Sequence, residues 1–416
     1  MRMKKKVFLK TFGCRTNIYD SSVMAQNLVD FDLVDSELEA DIVVVNSCTV
    51  TNSADSSART YINALNRQNK KVILAGCGAF SKGESLYHDK KIFGYFGHSE
   101  KKNINSLLQQ KERFAQLGDL SSLDETIVED FSSKTKAFIK IQEGCDFRCS
   151  YCIIPFVRGD ARSQDEEKIL AQITNLASNG FGEFVLTGTN LGSYGKDTNS
   201  SIATLLKRIS KISGVKRIRL GSLEPVQIDD SFKEILTEPW LEKHLHIALQ
   251  HTSEQMLRLM RRRSFLKEDR ALFEHISEKG FSLGTDFIVG HPGESEALWQ
   301  DALENFKTFP ITHLHGFSYS KRDGTHAATL KGEVNGAVAK KRLKILEEII
   351  KDKNLAFRKN HQNPLLVLVE ESKDGLQSGY DQYFNKIFIQ SDLDLHKEWV
   401  VVDHFEAREE GNYATL

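Results

Sequence analysis

The chain has 416 residues, of which 27% are charged and 40% apolar, with a formal net charge of −1. That length allows two or three domains with their own cores, and the ordinary composition excludes a disordered or fibrous chain. No run reaches the roughly 18 apolar residues of a membrane span, and Lys10 interrupts Val7-Phe-Leu before a signal-peptide core forms, so a cytoplasmic protein without a membrane partner is expected.

Charge is unevenly spread. Residues 364–416 hold eleven Asp/Glu against four Lys/Arg, a net of −7, which leaves +6 on the rest. An RNA-binding surface is therefore expected in the body of the chain, not through bulk charge at its C-terminus.

Residues 1–127 read as βα units. Val7–Phe12 is a predicted strand, Tyr19–Asp30 has helical spacing, Asp41–Asn46 is a continuous apolar strand, Ala54–Asn69 is helical and Lys71–Ala75 is a third strand. Cys14, Cys48 and Cys77 each follow the carboxyl end of one of these strands. In an open α/β sheet those ends share one edge, where ligands bind. Three separately buried thiols are the alternative, since free cysteine is among the most buried residues. The threefold positional equivalence favours an incompletely ligated metal cluster.

Residues 103–136 are polar and weakly periodic, as expected of a linker. Beyond it, strands are predicted at Ala137–Gln142, Glu183–Thr187, Arg217–Leu220, His244–Leu249, Thr285–Val289 and His313–Tyr319, with helices such as Glu166–Ser178 and Leu298–Lys307 between them. This alternation predicts a partly closed (βα)6 barrel over 128–362, with its chemistry at the carboxyl ends of the strands. Polar or glycine-bearing residues follow those ends: Thr187-Gly188-Thr-Asn190, Ser222-Leu-Glu224, Gln250-His251 and Gly290-His-Pro-Gly-Glu294. The last is a common connector type, or a phosphate contact. Arg261-Arg262-Arg263 reads as a solvated helix end or an RNA-phosphate contact.

After the first barrel strand comes Cys145-Asp-Phe-Arg-Cys149-Ser-Tyr151-Cys152. Three thiols this close can grip one soft metal centre, yet they are one ligand short of a closed zinc site or a fully ligated iron–sulfur cluster, and no histidine lies near. A four-iron cluster with one open iron is the economical reading. Six cysteines in a cytoplasmic chain also point to metal or redox chemistry, not to disulfides.

A long amphipathic helix is predicted over Lys340–His361, with Leu343, Leu346, Ile350 and Phe357 on one face. Residues 363–416 then give short β runs at Leu365–Val369, Tyr383–Ile389 and Trp399–Val402, which suit a small antiparallel β-barrel of oligonucleotide-binding type.

The C-x3-C-x2-C loop, with Tyr151 before its last cysteine, resembles that of radical S-adenosylmethionine enzymes. Thr11-Phe-Gly-Cys14-Arg-Thr-Asn17-Ile-Tyr-Asp20, Val45-Asn-Ser-Cys48-Thr-Val-Thr51 and Gly76-Cys77 narrow the resemblance to the methylthiotransferases, over essentially the whole chain. Asn46–Asn52, Ile139–Cys145, Ile154-Pro155, Arg158-Gly159, Arg162-Ser163, Phe317–Ser320 and Arg322–Thr325 look most like the branch that modifies N6-threonylcarbamoyladenosine beside the tRNA anticodon. Two positions depart from the family pattern: Gln250-His-Thr-Ser253 replaces the usual Gln-Ser-Gly-Ser, and His291 stands in place of Phe.

The resemblance implies an α/β protein with an N-terminal open sheet domain, a radical barrel and a C-terminal TRAM-like β domain. It implies two 4Fe-4S clusters, one on Cys145, Cys149 and Cys152 and an auxiliary one on Cys14, Cys48 and Cys77. It also implies S-adenosylmethionine, with Tyr151, Thr187, Gly188, Ser222, Glu224 and Gln250 as candidate contacts. The expected partners are tRNA, with Arg158, Arg162, Arg261, Arg262 and Arg263 as candidate contacts, and a low-potential donor such as a flavodoxin or ferredoxin. Runner-up substrates within the family are isopentenyladenosine of tRNA and a ribosomal-protein aspartate. A metal-binding RNA module without turnover is the reading from another class.

Overall fold

In the computed structural model, residues 4–124, 126–129, 131, 134–361 and 363–416 are described. The first three residues, positions 125, 130, 132 and 133 of the expected linker, and position 362 at the central boundary lie outside them.

The first sheet grows from β1 (Lys5–Thr11), α1 (Arg15–Gln26), β2 (Phe31–Leu33), β3 (Ile42–Ser47), α2 (Asn52–Arg67), β4 (Lys71–Gly76), α3 (Cys77–His88), β5 (Gly94–Phe96), α4 (Ile104–Gln109) and β6 (Phe114–Gln116). Its order is β2-β1-β3-β4-β5-β6, parallel throughout. Every residue of β3 is buried, which is why this central strand reads as one apolar run. The sheet extends into the stretch expected to be linker, because Leu107, Leu108 and Phe114 bury against Val44 and Ile73. Three-residue strands are too short to leave a periodic signal.

The central region follows as β7 (Ala137–Lys140), β8 (Gln142–Glu143), α5 (Ile154–Arg158), β9 (Arg162–Ser163), α6 (Glu166–Ser178), β10 (Glu183–Thr187), α7 (Ile202–Ile209), β11 (Arg217–Leu220), α8 (Asp230–Lys233), β12 (His244–His246), α9 (Glu254–Leu259), α10 (Leu266–Glu278), β13 (Ser282–Val289), α11 (Glu296–Thr308), β14 (His313–Ser318) and α12 (Gly336–Lys359). Parallel ladders β7-β10-β11 and β12-β13-β14 are joined by bridges at Ile218–Leu241 and Leu223–Ile247, so six strands make one curved wall. Leu245, Leu283, Phe287, Val289 and Leu314 face the helical layer. By strand alternation, His244, His246, Asp286, His313 and His315 face the lumen. Helix α1 packs along β7, at the edge of the wall.

The last sheet comprises β15 (Leu365–Lys373), β16 (Leu376–Tyr380), β17 (Lys386–Gln390), β18 (Trp399–Val402), β19 (Glu406–Ala407) and β20 (Asn412–Thr415), curled in the order β18-β15-β16-β17-β20-β19. Its pairs are antiparallel except β17–β20. The strand expected from Tyr383 begins three residues later, because Phe384 turns the chain in the left-handed region at φ +62°. This sheet docks at the amino ends of the barrel strands. Arg217 donates to Leu366 O (2.9 Å), Arg219 to Asp381 O (2.8 Å) and Ser282 Oγ to Tyr383 O (2.6 Å). The Phe384 ring stacks on His244, with centroids 5.2 Å apart. The acidic domain therefore sits at the end of the barrel opposite the cysteine loops.

Candidate metal centres at the barrel mouth

Cys14, Cys48 and Cys77 follow β1, β3 and β4, three neighbouring strands of one parallel sheet. Their convergence depends on glycine. A Cβ on Gly13 would lie 2.3 Å from Cys48 Cβ, one on Gly76 would lie 2.3 Å from Asn46 Oδ1, and one on Gly78 would lie 2.0 Å from Ser47 Oγ. Gly13 and Gly76 also hold positive φ, which a side chain disfavours. Cys14 is the N-cap of α1 and Cys77 opens α3, so both meet the positive end of a helix. Cys48 and Cys77 are buried, whereas Cys14 is exposed, giving the group one open side.

The second trio is tied down by backbone bonds. Cys145 N–H donates to Gly159 O (3.0 Å), Cys152 N–H to Cys149 O (3.1 Å) and Ser150 N–H to Met260 O (2.9 Å). Gly144 turns the chain into this loop at φ +76°, and a Cβ there would lie 1.8 Å from Asp160 O. Ser150 Oγ hydrogen-bonds His291 Nε2 at 3.1 Å, so the histidine that replaces the family's Phe supports the loop from below.

Both trios fit thiolate-bound clusters by the donors aimed at sulfur. Phe147 N–H and Asn190 Nδ2 each reach Cys145 Sγ at 3.4 Å, Arg262 Nη1 reaches Cys149 Sγ at 3.6 Å, and Arg158 Nε reaches Cys77 Sγ at 3.2 Å. Backbone N–H groups of Val50 and Ile154 serve Cys48 and Cys152. Without a metal, burial and then neighbouring thiols push Cys152 up to about 12. Burial likewise takes Cys77 to about 12, against the opposing pull of Arg158. Such thiols stay protonated near neutral pH, and a metal must take the proton's place.

Between the trios lies a buried charge network drawn from four segments. Arg158, 2% exposed, donates to Asn17 Oδ1 (2.7 Å) and Asp20 Oδ2 (3.0 Å) and pairs with Glu143. Lys140 Nζ bonds Asp20 and Glu143 at 2.9 Å each, and Lys101 Nζ bonds Asp20 at 2.9 Å. Although burial opposes their charge, Lys101, Lys140 and Arg158 hold the Asp20 and Glu143 carboxyls well below the usual range.

Two candidate RNA contacts are thereby corrected. Arg158 is enclosed by this network, and Arg262 turns inward onto Glu224 with its side chain 2% exposed, so neither meets a phosphate at the surface. Arg162 is half-buried and donates to the Arg158 and Asp160 carbonyls. Arg261 and Arg263 are exposed, the latter stacked on Phe147 at 4.6 Å.

The candidate cofactor contacts divide. Glu224 and Arg262 pair beside Cys149, and Tyr151 packs edge-on to His291. Thr187 Oγ1 instead meets Thr16 Oγ1 of α1 (3.2 Å), and Gly188 backs onto Gln142. Ser222 is exposed at the rim. Gln250, at φ +67°, joins β13 through backbone bonds to Asp286 O and Ile288 N (2.9 Å each). His251, the other departure, is fully buried against Glu294 (3.3 Å) and does not line the mouth. Asn190, Lys140, Glu143, Lys101 and Asp20 are site residues that sequence reasoning did not single out as such. Asn190, Asp20, Lys140 and Glu143 stood inside quoted motifs, and Lys101 did not.

Residues 6–97 match the Uncharacterized protein family UPF0004 and residues 139–306 the Radical SAM superfamily. Over 417 aligned residues the chain is 51% identical to a Helicobacter pylori protein named "Putative methylthiotransferase", covering 99% of this chain and all of that one. It is 36% identical to the threonylcarbamoyladenosine tRNA methylthiotransferase MtaB of Aquifex aeolicus, covering 90% and 95% of the two. It is 32% identical to a tRNA-2-methylthio-N(6)-dimethylallyladenosine synthase of Natranaerobius thermophilus, covering 96% and 94%. Among solved structures, the radical S-adenosylmethionine methyltransferase TsrM of Kitasatospora setae superposes with a TM-score of 0.58 at 15% identity, over 76% of this chain and 75% of that one, a likeness of fold.

Proposed function

Because the chain belongs to the radical S-adenosylmethionine methylthiotransferase family, we propose that it acts on tRNA, adding a methylthio group at C2 of N6-threonylcarbamoyladenosine beside the anticodon. The observation that carries this reading is the pairing of two three-thiol groups, each one ligand short, on either side of Arg158 at one barrel mouth.

In this reading residues 1–127 hold an auxiliary 4Fe-4S cluster on Cys14, Cys48 and Cys77. Residues 128–362 hold the radical cluster on Cys145, Cys149 and Cys152, and 363–416 form a TRAM-like domain. When bound, the clusters and S-adenosylmethionine would supply a 5′-deoxyadenosyl radical and a deliverable sulfur, chemistry that no acid or base achieves at an unactivated C–H bond. The chain's own work is positional. Asn190 and the Phe147 N–H steady Cys145, Glu224 fixes Arg262 against Cys149, and the Arg158 network holds the two loops in one register. A low-potential flavodoxin or ferredoxin is the expected electron donor.

The lumen supports the threonylcarbamoyl substrate over isopentenyladenosine. His246, Asp286 and His315 make it polar, suiting a substituent rich in oxygen better than a hydrocarbon one. Mass spectrometry of tRNA nucleosides from cells lacking and regaining the gene tests the proposal. The expected gain is 2-methylthio-N6-threonylcarbamoyladenosine. A gain of the isopentenyl counterpart, or no methylthio gain, overturns it.

A further inference from the structure

His246, Asp286 and His315 come from β12, β13 and β14, three adjacent parallel strands, and their side chains share the lumen face. Asp286 and His315 are register partners, and His246 pairs with Gly284, two residues before Asp286. His246 Nε2 lies 3.2 Å and His315 Nδ1 3.6 Å from the same carboxylate oxygen, Asp286 Oδ1. All three donor atoms fall within 4.8 Å of one another. Nothing in the family assignment above uses them.

A tetrahedral ion with bonds of about 2.0–2.1 Å has donor–donor edges of about 3.3 Å, and the two edges to Asp286 Oδ1, 3.2 and 3.6 Å, bracket that value. The third edge can close by rotation of His315, whose side chain is 62% exposed. His246 is 8% exposed, and its Nε2 has no hydrogen-bond partner among the described residues. A buried imidazole nitrogen aimed at a carboxylate without a well-formed bond is a ligand arrangement short of its ion. Gly284 makes room for the imidazoles themselves, since a Cβ there would lie 2.8 Å from His246 Nδ1 and 3.0 Å from His244 Cε1.

The other cluster of potential ligands, Asp20, His98 and Glu143, offers a contrast. There Lys101, Lys140 and Arg158 already supply the positive charge. Among the described residues, no lysine or arginine pairs with Asp286. The lower lumen pair, His244 and His313, has its Nδ1 atoms engaged by Ser282 Oγ (2.9 Å) and Thr312 Oγ1 (3.0 Å), and the two rings pack edge to face with centroids 4.7 Å apart.

We propose that His246, Asp286 and His315 form a divalent-cation site in the barrel lumen, separate from both cysteine trios. Two imidazoles and one carboxylate suit zinc, iron(II) or cobalt(II), and three protein ligands leave a position open to the lumen. Resting on the function proposed above, that open position takes an oxygen of the substrate's N6 substituent and fixes the base beneath the mouth. The metal site itself stands without that reading.

The test uses full-length protein with both iron–sulfur sites reconstituted, dialysed against Zn2+, with zinc and iron counted by mass spectrometry. Wild type is expected to hold one zinc beyond its iron. Asp286→Asn and His315→Gln should lower the zinc affinity at least about tenfold with iron unchanged. The lumen-exposed His315 keeps the test valid if Asp286→Asn folds poorly. Zn2+ should raise the wild-type melting temperature and leave both variants unmoved. No zinc in wild type, or equal zinc in wild type and both variants, overturns the site. Either result leaves the methylthiolation assay unaffected, so the two proposals fail separately.

Discussion

Arg158 Nε donates to Cys77 Sγ at 3.2 Å, so the helix that closes the Cys145–Cys152 loop ends on a thiol of the other trio. The same guanidinium reaches Asn17, Asp20 and Glu143, which come from α1 and from the strand leading into Cys145. One side chain therefore couples the geometry of both centres.

Arg158→Gln should strand two buried carboxylates with less positive charge, at a cost of about 3–5 kcal/mol. The expected readouts are a lower melting temperature and loss of iron from the auxiliary site. Arg158→Lys should recover much of the stability without the Nε hydrogen bond. Wild-type stability in the glutamine variant would show that the network holds nothing together.

The two trios should separate by function. Anaerobic reconstitution is expected to give about eight iron per chain, and about four in either Cys14→Ala or Cys149→Ala. Cys14→Ala should still cleave S-adenosylmethionine but not methylthiolate, whereas Cys149→Ala should do neither. Equal loss of cofactor cleavage in the two variants would count against independent sites.

Acid should act in two stages. Burial, the main cause, lowers His98 to about 3 and His291 to about 4, so each folds neutral while the unfolded chain binds a proton below about 6.5. Stability contributed by neutral histidine is thus present above pH 6.5 and lost as pH falls toward 4, on the order of 1–3 kcal/mol for each residue. Asp20 and Glu143, held ionised by their cations, add a second loss below about pH 4.5. Urea midpoints from pH 7.5 to 4 check the first stage, and His98→Gln should shrink it.

Asn190→Ala removes a donor to Cys145 Sγ and leaves that sulfur more electron-rich. A redox titration followed by electron paramagnetic resonance should find the radical-site cluster at a lower potential, because hydrogen bonds to sulfur raise it. An unchanged potential would mean the contact does not persist in the loaded protein.

Phe384→Ala should undock the C-terminal sheet. The ring packs on His244 and Tyr380 beneath the barrel, and its truncation should cost about 2–4 kcal/mol, since it is only partly buried. The expected outcome is a separate, earlier melting step, or protease cleavage near residues 360–364.

Local spacing carries the Cys145 loop, because its three cysteines lie within eight residues and one strand–loop–helix unit positions them. The first trio was legible for a related reason: parallel βα units place equivalent positions along one sheet edge, and β1, β3 and β4 are neighbours. Periodicity also located the six barrel strands and helix α6, whose bounds agree at Glu166–Ser178. It missed β2, β5, β6, β9, β16, β19 and β20, which are short or polar.

What sequence alone determined is the inventory: two groups of three cysteines on two kinds of α/β scaffold, in that order. Tertiary structure decided which charges face solvent. Arg158 and Arg262 look like surface cations in the sequence, yet both are buried because their carboxylate partners arrive from distant segments. His246, Asp286 and His315 lie 40 and 29 residues apart and meet only when three strands align in register. Sequence spacing fixes contacts within a turn or a strand, whereas pairing across the barrel depends on packing that no local pattern encodes.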